Sequence, residues 1–577
     1  MQSRQHARES FRALVGAAFG ATLEIVFGVA SSAAPATAQE TSRDSVDWVG
    51  REANALSWFP SLSADGNVVA FTSLASNLVT SDTNQKLDVF VHDWATGATE
   101  QVSLDSSGVE GDEDSGGSVG ALSTDGQFVA FESSSTNLIA YDNNWCSDIF
   151  VRDRNAGVTE RVSIDSNKTE ADSVSIELAM TPDRRFVAFD SLASNLVAND
   201  ANSDWDVFVH DRSTRVTERV SVASSGAEAD RTSIFPALSD DGRFVAFASY
   251  ATNLVAGDQN GEPDIFVHDR STGVTERVSV SSSGAESDNR SDPDHRPGLS
   301  ADGRLVAFMS GADNLVPNDN NARRDVFVHE RTTGRTKRVS VDSSGMQGNG
   351  DSGWPQLSSD GRFVVFHGGA SNLVANDTNG QYDVFVHELA THVTQRVSVD
   401  SSGVEGDFDS LEASISGDGM VVAFRGPADN LVSGDVNGVD DVFVHDFCST
   451  PASWSNYGAG FPGTNGVPTF TSQQNPVFGA TITVDVSNSY GSPTIGVIFV
   501  GFQRTSIHAS WGGDLLVVPA LTEAVSFSYG GDSFTGDIPG DWSLFCGVTV
   551  DLQAIEADPG AAHGVSFTPG LELVLGK

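Results

Sequence analysis

Positive charge is scarce in this chain: 33 Lys and Arg stand against 78 Asp and Glu in 577 residues, a formal net charge of −45. That balance lacks the basic footprint needed to hold nucleic acid or an anionic membrane surface, and so argues against both as partners. It suits a cation-binding or salt-tolerant secreted protein, and equally a repetitive surface kept soluble by its own charge. Cysteine is nearly absent, with three residues, which excludes a disulfide-built scaffold and allows at most one internal bridge. Cys448 and Cys546 are expected to form it in an oxidising compartment, leaving Cys146 as the odd one in a loop. Beyond the N-terminus no run approaches the ~18 apolar residues that span a bilayer, so the chain is not expected to cross a membrane. A 3.6-residue periodicity is missing, which excludes a helical solenoid. H-E-x-x-H and a phosphate loop are missing too, which removes the motif-marked zinc proteases and P-loop nucleotide enzymes.

The N-terminus reads as an export signal. Arg4, Arg8 and Arg12 precede a mostly apolar stretch, residues 14 to 30, interrupted by Glu24, and Ala36-Thr37-Ala38 supplies a cleavage site. Residues 1 to 38 are expected to be a signal peptide, and the mature chain to be periplasmic, envelope-bound or secreted.

What the chain has in abundance is a repeat. A loop and strand of the form D-x-N-x-x-x-D-(V/I)-F-V occurs seven times, and its second Asp falls at 88, 148, 206, 264, 325, 383 and 441, a period of 58 to 61 residues. Such a period decides architecture before any local reading does. In the unit around Pro236, residues 236 to 239 read as a short strand and Asp240-Asp241-Gly242 as a tight turn. Residues 243 to 249 read as a second strand, 250 to 263 as a long acidic loop, 264 to 269 as a third strand, and 275 to 281 (TERVSVS) as a fourth. The strands FVAF and DVFV are near-continuous apolar runs, which suits sheets buried on both faces. Four short antiparallel strands repeated seven times predict an all-β, seven-bladed β-propeller.

The seventh unit stops after its third strand, and its missing T-E-R-V-S-V counterpart lies at the other end of the chain. Counting back from Asp65-Gly66 against Asp241-Gly242 aligns Arg43, Ser45, Val46 and Glu52 with Arg219, Ser221, Val222 and Glu228. Residues 43 to 47 are therefore expected to be the outer strand of the last blade. In the third unit Asp183-Arg184 replaces Asp-Gly, which predicts a turn of another type there.

The stretch S-x-D-G-[RQN]-[FLV]-V-[AV]-F, at residues 239 to 247 and 358 to 366, with the DVFVHD strand that follows, resembles the WD40-like (PD40-type) propeller repeat of the TolB-like family. The resemblance spans residues 43 to 447 and is specific for fold. For function it implies only a group that includes periplasmic interaction partners of the cell envelope, with related propellers serving as protease or lyase domains. The propeller is placed at 39 to 447. From 448 to 577 the composition shifts to Gly, Pro, Thr and Phe, and short apolar stretches between turns predict a smaller β-sandwich.

Antiparallel strands put alternate connections on opposite ends of the ring. The two long connections share one face: the D-x-N-x-x-x-D loop, and the loop carrying Glu110-Gly-Asp112, Glu228-Ala-Asp230 or Glu405-Gly-Asp407. Negative charge is concentrated there. Hard cations take several oxygens from one tight loop, and the candidate calcium ligands are Asp82, Asn84 and Asp88; Asp142, Asn144 and Asp148; Asp200, Asn202, Asp204 and Asp206; Asp258, Asn260, Glu262 and Asp264; Asp319, Asn321 and Asp325; Asp377, Asn379 and Asp383; and Asp435, Asn437 and Asp441. Against this, Asp and Asn also fold loops alone by bonding their own backbone.

Trp58, Phe235 and Trp354 precede the innermost strand at the channel, and Trp145 and Trp205 lie in the acidic loops. Such aromatics stack on sugars, grip peptides, or simply pack between blades. The VFVH histidines and the Asn before Leu at the second strand's exit recur, and so read as packing and loop-turn residues. His295 and His367 are unique, with no nucleophile or base partner marked. The function expected is an exported, monomeric, non-enzymatic binding or scaffold protein that holds a protein or glycan on its acidic face, with calcium stiffening the loops. The alternatives are a glycan-binding module and a propeller hydrolase or lyase acting on polysaccharide or peptide. The enzyme would need unlike polar residues at equivalent blade positions, and the repeats look too uniform for that.

Overall fold

Each repeat folds into a four-stranded antiparallel sheet whose two middle strands carry apolar side chains on both faces. In blade one the strands are Ser57–Leu62, Val68–Ser73, Asp88–Asp93 and Ala98–Gln101, joined in that order. The same order holds through blade six. Phenylalanines at the centres of the middle strands pair across the ladder, from Phe71–Phe90 at 6.0 Å between ring centres to Phe424–Phe443 at 5.7 Å. The other face packs on the next blade: Phe128, Ile149 and Val151 of blade two share a core with Leu178, Val187 and Phe189 of blade three. A strand wedged between two neighbouring sheets has no polar side, which is why these runs are continuous rather than alternating. The computed structural model describes residues 39–576 except 119, 292–294, 451, 478–479, 510–513, 520, 539–545 and 547. The expected signal peptide, residues 1 to 38, lies outside them.

The seventh blade is composite. Its strands are Leu411–Ile415, Val421–Gly426, Asp441–Asp446 and, as the fourth, Glu40–Arg43 from the start of the described chain. The alignment of Arg43 with Arg219 holds, but the strand ends at that arginine instead of beginning there. Residues 44 to 47 fold inward over the blade end: the Asp44 N–H donates to the Val442 carbonyl at 2.8 Å, Ser45 Oγ bonds Asp441, and Val46 bridges Glu52. The fourth strand of blade four likewise closes at Arg277, short of the expected 281. The V-S-V tail has a strand's alternation, but its serine turns in to bond a buried aspartate and the strand stops. A threonine two residues before the arginine, or before Gln101 in blade one, ties each blade to its predecessor. Thr217 Oγ1 donates to the Ile164 carbonyl at 2.5 Å, and Thr41 does the same to Val399 at 2.6 Å. The seven first strands all contribute to the wall of one cavity, so the ring is closed.

The turn of the third repeat is of the same type as the others, contrary to expectation. Arg184 takes the left-handed conformation at φ 62°, as Gly242 does at 66°, and each backbone N–H closes on the residue three before it. At Gly242 a Cβ would come within 2.2 Å of the Phe186 ring. At Arg184 the guanidinium lies 4.3 Å from the centre of the Phe128 ring, a cation–π contact that offsets part of the backbone strain.

A second compact unit, counted from Phe447 onward, is described by itself. Its larger sheet contains Ser453–Tyr457, Gly570–Val574, Thr549–Ala557, Thr494–Gly501 and Leu521–Phe527 in spatial order, and a three-stranded sheet contains Phe470–Ser472, Thr481–Val486 and Asp532–Asp537. Ile498, Leu552 and Leu571 of the first meet Phe470, Ile482 and Val484 of the second in one core, a β-sandwich. Cys448 and Cys546 are bridged within this unit, and Cys146 is free and half-buried. Among the described residues no helix is long and apolar enough to cross a membrane.

Candidate binding site

The D-x-N-x-x-x-D loops are built around an arginine. In blade three, Arg219 Nη1 lies 3.5 Å from Asp200, 3.1 Å from Asp206 and 2.5 Å from Glu228 of the second long loop. Arg161, Arg277, Arg396 and Arg43 repeat this in blades two, four, six and seven. In blade five Arg338 holds Asp319 and Asp325, and Gln347 stands at the glutamate position. The triads Asp200/Asp206/Glu228, Asp258/Asp264/Glu286 and Asp377/Asp383/Glu405 each bring three carboxylate oxygens within 4.8 Å of one another, a donor set a metal ion can accept. The positive charge facing those oxygens in this structure is the guanidinium.

The asparagines are consumed by the loop itself. Oδ1 of Asn84, Asn144, Asn202, Asn260, Asn321, Asn379 and Asn437 each accepts the N–H two residues on. Their Nδ2 atoms donate to a carbonyl of the second loop, as Asn84 does to Gly111 and Asn437 to Ala53. In five blades Nδ2 also donates to the second Asp, namely Asp88, Asp148, Asp206, Asp325 and Asp441. Asp204 accepts from Thr232 Oγ1, and Glu262 is exposed. The carboxylates of Asp82, Asp142, Asp258, Asp264, Asp377, Asp383 and Asp435 stay in the clusters.

Burial, with Asp206 and Glu228 beside it, pushes Asp200 up to about 6 despite Arg219, and Asp258 behaves alike. Burial also takes Asp383 and Asp441 to about 6. A carboxyl raised above its unfolded value opposes folding while ionised and ceases to as it protonates. These groups therefore add stability as pH falls from about 7 through 6. Asp211, held near 2 by Arg185 and backbone N–H groups against its burial, works in the opposite sense, but only below the unfolded value of 3.8. Burial holds His210, His268, His329, His367, His387 and His445 below their ordinary value, and these lose stability over the same interval. The clusters are therefore read by difference: the melting temperature of the wild type relative to Asp383→Asn, both in chelator, is expected to be higher at about pH 5 than at about pH 7, and a relative fall would contradict the raised carboxyl.

A second site lies at the channel. Five first strands carry a β-bulge in which a non-glycine residue turns left-handed: Phe59 (φ 51°), Glu177 (45°), Phe235 (60°), Trp354 (56°) and Glu412 (53°). Bulges re-aim side chains, and strain repeated at one position marks a working part. All five, with Arg296, line a cavity of about 520 Å³. Phe235 and Trp354 are thus placed at the channel. Trp58 is not on its wall: it pairs with Thr72 one residue before the bulge, and Phe59 takes the equivalent place. Trp145 is 81% exposed in its outer loop, and Trp205 is half-buried.

Behind the bulges stands the residue that follows F-V-A-F, and it differs in every blade: Thr72, Glu132, Asp190, Ala248, Met309, His367 and Arg425. Several accept the bulge N–H of the next blade: Glu132 from Glu177 at 3.3 Å, Asp190 from Phe235 at 3.0 Å, and neutral His367 Nδ1 from Glu412 at 3.4 Å. The repeats are therefore not uniform where the ring narrows, which corrects the sequence expectation. Arg296 lies 3.7 Å from Glu177, and Arg425 pairs with Glu412 at 2.7 Å and Asp440 at 2.6 Å. Burial and the neighbouring Glu177 raise Glu132 to about 7, burial raises Glu177 against the pull of Arg296, and Asp190 goes well above the usual range. Asp190 Oδ1 and Arg296 Nε are buried with no hydrogen-bond partner among the described residues. Trp354 meets His295 edge-on at 4.6 Å.

The class of protein these features define is a β-propeller of repeated four-stranded antiparallel blades. No family model and no curated protein matches the chain. Among solved structures, one described as TolB from Agrobacterium tumefaciens is similar at 15% identity and a TM-score of 0.31, over 49% of this chain and 80% of that one. The WD40 repeats of RRP9 are similar at 11% and 0.36, over 72% and 99%. An extracellular domain of the two-component system BT4673 from B. thetaiotaomicron is similar at 10% and 0.37, over 85% and 47%. Likeness at this level bears on neither family nor activity.

Proposed function

We propose that this is an exported, monomeric, non-enzymatic binding propeller of the TolB-like, PD40-type kind that grips part of a protein or glycan at its channel mouth, on the acidic loop face. The observation that carries this reading is the set of five strained bulges aiming Phe59, Glu177, Phe235, Trp354 and Glu412 into one cavity. Three aromatic faces beside carboxylates suit a group that is flat or apolar on one side and rich in N–H or O–H on the other. The S-x-D-G repeat and the N-terminal leader pattern support the family and the location.

Trp354→Ala is expected to remove a central anchor, costing about 2 kcal/mol, or roughly thirtyfold in affinity. Trp145→Ala, far out on its loop, is expected to leave binding unchanged. Glycan arrays and affinity capture from cell envelope, read with both variants, decide the matter. A wild type that retains nothing, or a ligand set that survives Trp354→Ala and is lost with Trp145→Ala, would refute the channel reading. A second reading, a hydrolase or lyase for polysaccharide or peptide, is favoured by one observation: Glu177 on the cavity wall and Glu132 behind it are neighbouring carboxyls with raised proton affinity. Polymer cleavage abolished by Glu177→Gln would establish it.

A further inference from the structure

Six blades place a guanidinium among their loop carboxylates; blade one does not. In the same register, opposite the blade's central phenylalanine, Arg161, Arg219, Arg277, Arg338 and Arg396 face Phe150, Phe208, Phe266, Phe327 and Phe385, whereas Gln101 faces Phe90. The carboxylates around that place are the same in kind: Asp82, Asp88 and Glu110 correspond to Asp377, Asp383 and Glu405 of blade six, although of the two only the blade-six set, drawn in by its arginine, brings three oxygens within 4.8 Å of one another. Even the surrounding bonds match. The Thr83 N–H donates to Glu110 at 3.0 Å as Thr378 does to Glu405 at 3.2 Å, and Ser103 Oγ donates to Asp88 as Ser398 does to Asp383, both at 2.5 Å. Blade six adds Arg396 Nη1 at 2.6 Å from Glu405 and 3.2 Å from Asp383. Blade one has the negative charge without the positive one.

The amide left in that place has no other task. Gln101 is 5% exposed, and neither Oε1 nor Nε2 has a hydrogen-bond partner among the described residues, although its side chain lies against Asp88, whose carboxyl is raised by burial and pulled partly back by Ser103, Gln101 and Asn84. Asp82, 9% exposed, likewise keeps a buried Oδ1 with no hydrogen-bond partner. A buried amide without a partner is costly unless something completes it. A cation accepts its oxygen and answers the carboxylates together. The donors are all oxygen, which selects a hard ion, and three carboxylates with an amide carbonyl and water match the irregular sets of about six to eight ligands that calcium takes. We propose that blade one, and none of the six arginine-filled blades, binds a calcium ion through Asp82, Asp88, Glu110 and Gln101 Oε1. Calcium there does for blade one what arginine does elsewhere.

The full-length protein, stripped with EDTA and titrated with calcium chloride in a calorimeter near neutral pH, is expected to take up about one ion per chain. Gln101→Arg, which has its template in Arg396, is expected to abolish uptake and to leave the chelated protein melting no lower than the wild type. Asp82→Asn, nearly isosteric, is expected to fold and to weaken uptake roughly tenfold or more. Absence of uptake by the wild type, or uptake that persists undiminished in Gln101→Arg, overturns the assignment. So does uptake by Asp82→Asn equal to that of the wild type.

Discussion

Replacing Arg43 with alanine is expected to destabilise the propeller by about 3–5 kcal/mol, the cost of leaving buried carboxylates without their counter-charge. Arg43 lies 3.0 Å from Glu52, 3.1 Å from Asp435 and 3.7 Å from Asp441, and its own side chain is 9% exposed. Removing it leaves Asp441, fully buried and already raised to about 6, with Ser45 and Asn437 as its remaining polar partners. The position also matters because Arg43 belongs to the strand that completes blade seven, so the same change loosens the joint between the two ends of the ring. Arg338→Ala, which strands only Asp319 and Asp325, is expected to cost less. Urea midpoints of the two variants test the ranking. The cost of Arg43→Ala should shrink toward about pH 5, because the abandoned carboxyls protonate and stop opposing the fold. A midpoint shift for Arg43→Ala no larger than that of a surface arginine would show that the cluster does not hold the ring.

Cys448→Ser is expected to lower the stability of the C-terminal sandwich by up to about 4.7 kcal/mol, the chain-entropy value for a closed loop of about 100 residues. The bridge spans 98 residues and encloses the three-stranded sheet and half of the larger one, and both cysteines are buried, Cys448 at 0% and Cys546 at 3% exposure. Reduction of the wild type should reproduce the loss, and Cys146→Ser should be silent. A sandwich transition that is indifferent to reductant would contradict the bridge.

Much of this architecture could be read from the repeat. The invariant Asp of D-x-N-x-x-x-D counted the blades, and the absence of a T-E-R-V-S-V after Asp446 located the closing strand in the right place, though three residues off. The error has a physical source: Ser45 and its equivalents alternate as a strand would, yet bond inward to a buried aspartate. The arginine clusters were beyond reach because their partners come from two loops and, in blade seven, from opposite ends of the chain. Gln101 was visible throughout as a T-E-Q among T-E-R copies, but its meaning depends on what Arg219 touches. The channel column was equally visible. Thr72, Glu132, Asp190, Ala248, Met309, His367 and Arg425 follow a motif that hardly varies, and the place where otherwise faithful copies disagree is where they have been given different work. Reading the repeats for what they share hid what they do not.

A sheet assembled from residues 40 to 43 and 411 to 446 imposes an order on biosynthesis. The earliest of these strands leaves the ribosome with no partner, and nearly four hundred residues must follow before its neighbour is made. Until then blades one to six can stack only as an open arc with both edges bare. Completion is thus deferred to a late, single event: the ring closes only when residues 441 to 446 meet residues 40 to 43.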